Sequence, residues 1–337
     1  MKIAVRSPNW IGDGVMALPA LKALRYFFPE AKLTVVVKSY LADLFRGQIE
    51  IDEIMPLPDN LSLPRFLSTA RNLRACSFDR GLLFTNSFKS ALLFRIAGIN
   101  QLAGYKADGR SLLLNPSWPR PTGNFGHHSW YYLRLVENFA GGKVEKEIPA
   151  KIRLKPEELD SGRLLLRELG IPDQAALMAI APAAAYGPAK AWPADRFKTV
   201  ISSLLVQFPG LQVLIMGSTR EKDLCTDMAA GFTERVFDLS GKVSLRETII
   251  LVNFCRLLLG NDSGLMHVAA ALSIPTVAIF GPTLPESTSP LGKDHLIIHH
   301  PPACAPCKKR ICPEEHACMT AVTTKEVLDA VLQVLPR

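Results

Sequence analysis

One arrangement recurs along this chain and restricts its fold more than any other feature: a short apolar run, a turn of small and polar residues, then a stretch with helical period. It starts with KIAVR at 2–6, passes through SPNWIGDG, continues as a helix from about Val15 to Phe28 closed by Pro29, and returns as KLTVVV at 32–37. That is a βαβ unit. The alternation goes on through IDEIMPL near 51–57, a helical stretch at 63–75, FDRGLLFT at 78–85, a helix at 88–97 and QLAGY. Strands alternating with helices of this length predict a parallel sheet covered on both faces.

From Pro119 to Gly142 the pattern breaks into Pro, Gly, His and Trp, with a helix expected at 129–140 and another at 156–169 ending at Gly170. The alternation then restarts. ALMAIAP at 176–182, a helix from Pro193 to Phe208, LQVLIMG at 211–217 and a helix at 220–230 lead to LLLGNDSGLMHVAAALSIPTVAIFGPT at 257–283. This last stretch reads as a strand at 256–259, a helix from Ser263 to Leu272 and a strand at 275–280. The chain therefore reads as α/β, two Rossmann-like halves with mostly parallel sheets, divided as domains 1–155 and 156–337. Halves of this kind are expected to face each other across a cleft, where small-molecule sites tend to lie.

Composition supports a globular protein: of 337 residues, 48% are hydrophobic and 21% charged. No stretch reaches the ~18 uncharged apolar residues of a membrane-spanning helix, and the start lacks the apolar core of a signal peptide, so a cytoplasmic location is expected. The net charge of +8 favours an anionic partner: a nucleotide, a phosphorylated lipid, a membrane surface or nucleic acid.

In parallel α/β sheets ligands sit at the carboxyl ends of the strands, and three groups of residues fall there. SPNWIGDG carries Asp13 between two glycines. It lacks G-x-G-x-x-G, which disfavours a dehydrogenase-type dinucleotide site. Two readings of Asp13 stand at this point, an N-cap of the following helix or a general base. The stretch APAAAYGPAKAWPADRF, 181–197, places Lys190 just before a helix, suiting a diphosphate or simply a turn with a solvated lysine. GNDSGLMH offers Asp262 to sugar hydroxyls and Ser263 and Gly264 to phosphate, with His267 one turn along as either a packed residue or a participant. Glu221, just past Met216-Gly217-Ser218, is placed to bind ribose hydroxyls, and Ser240-Gly241-Lys242 is a further strand-end loop.

Seven cysteines divide into Cys76, Cys225 and Cys255, read as core residues, and Cys304, Cys307, Cys312 and Cys318 in CAPCKKRICPEEHAC. The spacing C-x2-C-x4-C-x5-C, with His316 as an alternative ligand, suits structural zinc in principle. It lacks the two separated C-x-x-C knuckles of a zinc ribbon, and no metal is assigned.

Taken in order and spacing, SPNWIGDGVMALPALKAL, YGPAKAWPADRF, IMGSTREKD, LLLGNDSGLMHVAAAL and VAIFGPTLPESTSPLG resemble the ADP-heptose:lipopolysaccharide heptosyltransferases, glycosyltransferase family 9, most closely the heptosyltransferase II branch. The resemblance spans nearly the whole chain. It implies the GT-B architecture, with the acceptor on the N-terminal domain and the sugar nucleotide on the C-terminal one. It implies inverting, metal-independent transfer of a heptose from ADP-L-glycero-β-D-manno-heptose to the inner-core heptose of lipopolysaccharide, with no cofactor. By that analogy Asp13 is the base, and Arg6 contacts acceptor phosphate. Lys190 and the amides of Ser263, Gly264 and Leu265 steady the ADP leaving group. Asp262 holds donor heptose hydroxyls, Glu221 the ribose and Val243 the adenine. Relatives often carry a second basic residue where Ala191 follows Lys190.

Peripheral association with an anionic membrane surface is suggested by charge, and nucleic acid is not expected as a partner because basic and aromatic residues do not interleave. The alternative is a GT-B transferase or epimerase acting on a different nucleotide sugar.

Overall fold

The computed structural model describes residues 1–123, 126–146, 148–172, 174–232 and 234–335. Its contacts divide the chain into two compact units, Met1–Lys151 and Ile152–Arg337. The Ile152 amide donates to the Ala271 carbonyl at 2.9 Å, so the chain past Lys151 is tied to the second unit.

In the first unit, β1 (Lys2–Arg6), β2 (Lys32–Lys38), β3 (Glu53–Leu57), β4 (Arg80–Leu83), β5 (Gln101–Tyr105) and β6 (Ser117–Trp118) form one sheet in the order β3-β2-β1-β4-β5-β6. Every named pair is parallel. The order runs outward from β1 in one direction, then from β4 in the other, so the topological switch lies between β1 and β4. Pro56 is tolerated because β3 is an edge strand, where a missing N–H breaks no ladder.

In the second unit, β7 (Ala176–Ala181), β8 (Leu211–Ile215), β9 (Val236–Asp238), β10 (Cys255–Asn261), β11 (Thr276–Phe280) and β12 (His295–His299) are also wholly parallel, in the order β12-β11-β10-β7-β8-β9. Here the switch lies between β7 and β10. The central strands β7 and β10 are largely apolar because both faces are covered, with Arg256 and the terminal Asn261 the polar residues of β10. Leu257 and Leu259 enter the core layer that contains Trp192 and Phe197, whereas Leu258 enters the layer with Leu251 and Ala269. Alternating sides at every residue is the strand period itself.

Most expected elements are present, with differences that have physical causes. The first helix begins at Ile11 rather than Val15 and is interrupted at Ala17, giving Ile11–Met16 and Leu18–Phe27. The two glycines that look like a loop in the sequence lie inside this helix, Gly14 with its α-carbon so close to Leu44 that a Cβ would stand 2.6 Å from it. The segments β6, β9 and β12 and the helices Leu245–Asn253 and Thr324–Val334 were not anticipated; the first two strands are two and three residues long, too short for a period to register.

Candidate active site

Asp13 occupies the third position of helix Ile11–Met16, whose N-cap is Trp10, and no side chain caps that helix. The N-cap reading of Asp13 is therefore corrected: the cap position belongs to Trp10 and Asp13 lies inside the first turn. Asp13 Oδ1 stands 3.7 Å from His128 Nε2, and each side chain is about a quarter exposed, at 27%. The Tyr132 hydroxyl lies 3.3 Å from the same imidazole nitrogen. Burial first, then the charge of Asp13, hold the Tyr132 phenol well above its ordinary pKa, so it stays protonated.

The surroundings are built from the ends of β1, β2, β4 and β5. Arg6, the last residue of β1, is buried; its guanidinium donates to the Ser7 carbonyl at 2.7 Å and to Asn9 Oδ1 at 2.6 Å. Burial lowers its pKa to about 10, which still leaves it charged at neutral pH. Lys38 closes β2 nearby, its pKa lowered by burial and then by Arg6. Arg110 is fully buried and holds together the ends of β4 and β5, donating to the carbonyls of Thr85 and Tyr105 and, at 3.1 Å, to Asn86 Oδ1. Asn86 Oδ1 also accepts from the Tyr131 hydroxyl at 2.9 Å.

In the second unit the strand-end groups converge on Asp262. Its Oδ2 accepts from Lys190 Nζ and from Thr283 Oγ1, each at 2.5 Å. Lys190 and Asp262 are both buried, so the reading of Lys190 as a solvated turn lysine is corrected. A cation and an anion withdrawn from water together are tolerable because each is the other's partner. Asn261, one residue earlier at the end of β10, bridges to β7 and beyond: its Nδ2 donates to the Pro182 carbonyl and its Oδ1 accepts the Trp192 amide at 3.1 Å. The loop of Lys190 is thereby fixed to the two strands at the switch.

Ser263 caps helix Gly264–Ala271 from an extended conformation, and its side chain does not bond the helix. Its hydroxyl is buried and, among the described residues, has no hydrogen-bond partner. With the amides of Gly264 and Leu265 at the first turn, which have no intrahelical acceptor, the strand end presents donors to an anion. His267 is buried on this helix. Leu265 and Val243 border one core layer together. Glu221 Oε2 accepts from the amide and hydroxyl of Ser218, at 2.7 and 2.8 Å, in a capping box at the end of β8.

The cysteine-rich segment braces the loop that carries Lys190. The Tyr186 hydroxyl donates to the Lys308 carbonyl at 2.5 Å, the Ala189 amide to the Arg310 carbonyl at 3.1 Å, and His316 Nε2 to the Ala189 carbonyl at 2.7 Å. Cys304 is exposed, Cys307 and Cys312 half-buried and Cys318 buried. Among the described residues no group of three or more His, Cys, Asp or Glu side chains is placed to hold a metal ion. Cys225 and Cys255 are buried as expected for core residues, while Cys76 is half-buried beside its core layer.

The residues absent from the sequence reading are His128, Tyr131, Tyr132, Asn86 and Arg110 in the first unit and Thr283 in the second. Thr283 had a signal, since it lies in the short turn that follows β11, the strand beside β10. Asn86 too follows a strand, β4, whereas His128, Tyr131 and Tyr132 had no signal beyond an interruption rich in aromatic residues and Arg110 had none.

Two doubly wound units in one chain, each with polar groups gathered at its switch point, are the build of a GT-B glycosyltransferase. The sequence model described as glycosyltransferase family 9 (heptosyltransferase) matches residues 66–318. The chain belongs to glycosyltransferase family 9. It is 28% identical over 314 residues to lipopolysaccharide heptosyltransferase 2 of Salmonella typhimurium, covering 88% of each protein. The solved structure of E. coli ADP-heptose LPS heptosyltransferase II matches with a TM-score of 0.85 and 26% identity, over 99% of this chain and 98% of that one. The glycosyl transferase family 9 protein of Veillonella parvula shares the fold, with a TM-score of 0.85 and 20% identity over 99% and 97% of the two chains.

Proposed function

We propose that this glycosyltransferase moves a heptose from ADP-heptose to a heptose of the lipopolysaccharide inner core, inverting the anomeric centre without a metal ion. The residues 1–155 take the acceptor and the residues 156–337 the donor. The observation that carries the reading is the set Lys190, Asp262, Ser263 and Thr283, gathered beside the anion-ready start of helix Gly264–Ala271. The likeness to the E. coli enzyme described by its donor and its acceptor supports it.

In this mechanism Asp13 takes the proton of the acceptor hydroxyl as its oxygen attacks the anomeric carbon from the face opposite the diphosphate. The bond from that carbon to the β-phosphate oxygen breaks, and ADP leaves with the electron pair. Lys190 and the amides of Ser263, Gly264 and Leu265 stabilise the charge gathering on the diphosphate, the part a divalent cation plays elsewhere. Asp262 and His267 line the donor sugar, Glu221 accepts from the ribose and Val243 packs on the adenine. Arg6 meets acceptor phosphate. A single displacement inverts the configuration.

No helix among the described residues is long and apolar enough to cross a membrane. Exposed Trp10 and Tyr40 stand beside the Arg6 and Asn9 corner, and with the net charge of +8 they support reversible contact with an anionic lipid surface.

The deciding experiment incubates the protein with ADP-heptose and a one-heptose lipopolysaccharide precursor in the presence of a chelator and reads the product by mass and anomeric NMR. One added heptose of opposite anomeric configuration is expected. Transfer only from a UDP-sugar, or only after magnesium is restored, would overturn the donor or the metal-free part of the reading.

A further inference from the structure

The chain entering helix Ser129–Ala140 carries two histidines and two tyrosines that the reaction above does not use. His127 Nδ1 accepts the Ser129 amide at 3.2 Å and lies 2.9 Å from the Ser129 hydroxyl, which fixes the start of the helix. His128 lies flat on the Tyr131 ring, with centroids 5.2 Å apart and planes 10° apart, and edge-on to Tyr132. Tyr132 in turn packs on Phe84 and Tyr131 on Tyr105, the residues at the ends of β4 and β5. Through Tyr131, Asn86 and Arg110 this aromatic cluster is bonded to the strand ends themselves. A rigid line of contacts therefore leads from the sheet to the Asp13 carboxylate, ending 3.7 Å away at His128 Nε2.

We infer that His128 and Tyr132 are positioning residues for Asp13: the imidazole and the phenol packed against it fix the direction of its carboxylate toward the acceptor. This rests on Asp13 being the base. A cationic neighbour would stabilise the carboxylate and weaken it as a proton acceptor. The groups facing His128 are Asp13 from helix Ile11–Met16, Arg120 and His127 from the preceding segment, and Tyr131 and Tyr132 from its own helix. Burial, then His127 and Arg120, lower the His128 pKa to about 4, so the ring is neutral wherever the protein works near pH 7. Tyr132, buried and kept protonated, has a hydrogen to donate.

The test follows kcat and KM against pH for His128→Phe, which keeps a stacked ring without nitrogen, and Tyr132→Phe, which removes one hydroxyl. A fall in kcat on the order of 10²-fold is expected for His128→Phe, the scale of a small misplacement at a reacting centre, with both KM values unchanged and partial recovery in His128→Gln. His128→Arg should shift the acidic limb of the kcat profile to lower pH. Wild-type kcat and pH profile in both phenylalanine variants, or a change confined to KM or thermal stability, would overturn the inference. Asp13→Asn measured alongside separates the two levels. Undiminished turnover there overturns the base assignment itself; a dead Asp13→Asn beside unaffected phenylalanine variants overturns only the positioning role. If His128→Phe does not fold, Tyr132→Phe alone decides by the same criteria.

Discussion

Lys190 Nζ and Asp262 Oδ2 lie 2.5 Å apart, both sheltered from solvent, across 72 residues of sequence. If Lys190 takes the donor diphosphate as proposed, that lysine is already committed to a carboxylate, and binding would have to redistribute the pairing rather than simply add a contact. On that proposal Asp262 would keep the hydrogen bond from Thr283 Oγ1 when the lysine turned to phosphate.

Lys190→Ala should abolish measurable donor binding and also destabilise the fold by about 3–5 kcal/mol, because it strands a buried carboxylate. The double variant Lys190→Met with Asp262→Leu should be markedly more stable than Lys190→Ala while remaining inactive. Denaturant unfolding of the three proteins checks both statements.

Thr283→Val removes one donor to Asp262 and preserves shape. A loss of roughly 1–3 kcal/mol is expected from the hydrogen bond given up at a charged, buried acceptor. Calorimetric titration with the sugar nucleotide should show weaker binding at unchanged stoichiometry.

His128 gives the first unit an acid-side weakness. Its folded pKa of about 4 lies below the ordinary 6.5, so as pH falls through 6.5 the unfolded chain takes up a proton that the folded one refuses until about 4. Stability is complete above pH 6.5 and declines down to about 4, by roughly 3 kcal/mol at most for a shift of this size. His128→Gln should flatten this part of the pH–stability curve, measured by thermal unfolding of wild type and variant in parallel from pH 7.5 to 4.

Gly187 has φ of +154° and ψ of 164°, a region open essentially to glycine alone, and a Cβ there would stand 2.4 Å from the Arg310 carbonyl oxygen. Gly187→Ala should therefore cost about 1–3 kcal/mol and lift the loop off the 304–316 segment. Faster proteolytic cutting at Lys308, Lys309 and Arg310 would report it.

Much of the architecture was legible because periods of two and of 3.6 residues survive in the sequence: β7 is an unbroken apolar run, β1, β2 and β11 are short runs rich in buried apolar residues, and helix Leu63–Ala75 matches its expected limits. The short strands β6 and β9 carry too few residues for any period to register. The candidate site was legible in part, since Asp262 and Ser263 directly follow β10 while Asp13 and Lys190 lie on the segments that follow β1 and β7, where the chain order alone puts them. Their partners were not. That Lys190 is buried depends on Asp262, and that Asp13 faces His128 depends on a helix more than a hundred residues downstream folding back over β4 and β5. Contacts of that range leave no local pattern, and a carboxylate three residues into a helix looks the same whether or not it has company.

The loop bearing Lys190 leans on the cysteine-rich tail through three hydrogen bonds, to the Lys308 and Arg310 carbonyls and from the His316 ring. These two stretches cannot drift apart independently over generations. An insertion or deletion in either one shifts the mould in which the other is cast, so grafting the tail of a distant homologue onto this chain would misplace the lysine even with every residue of the loop retained.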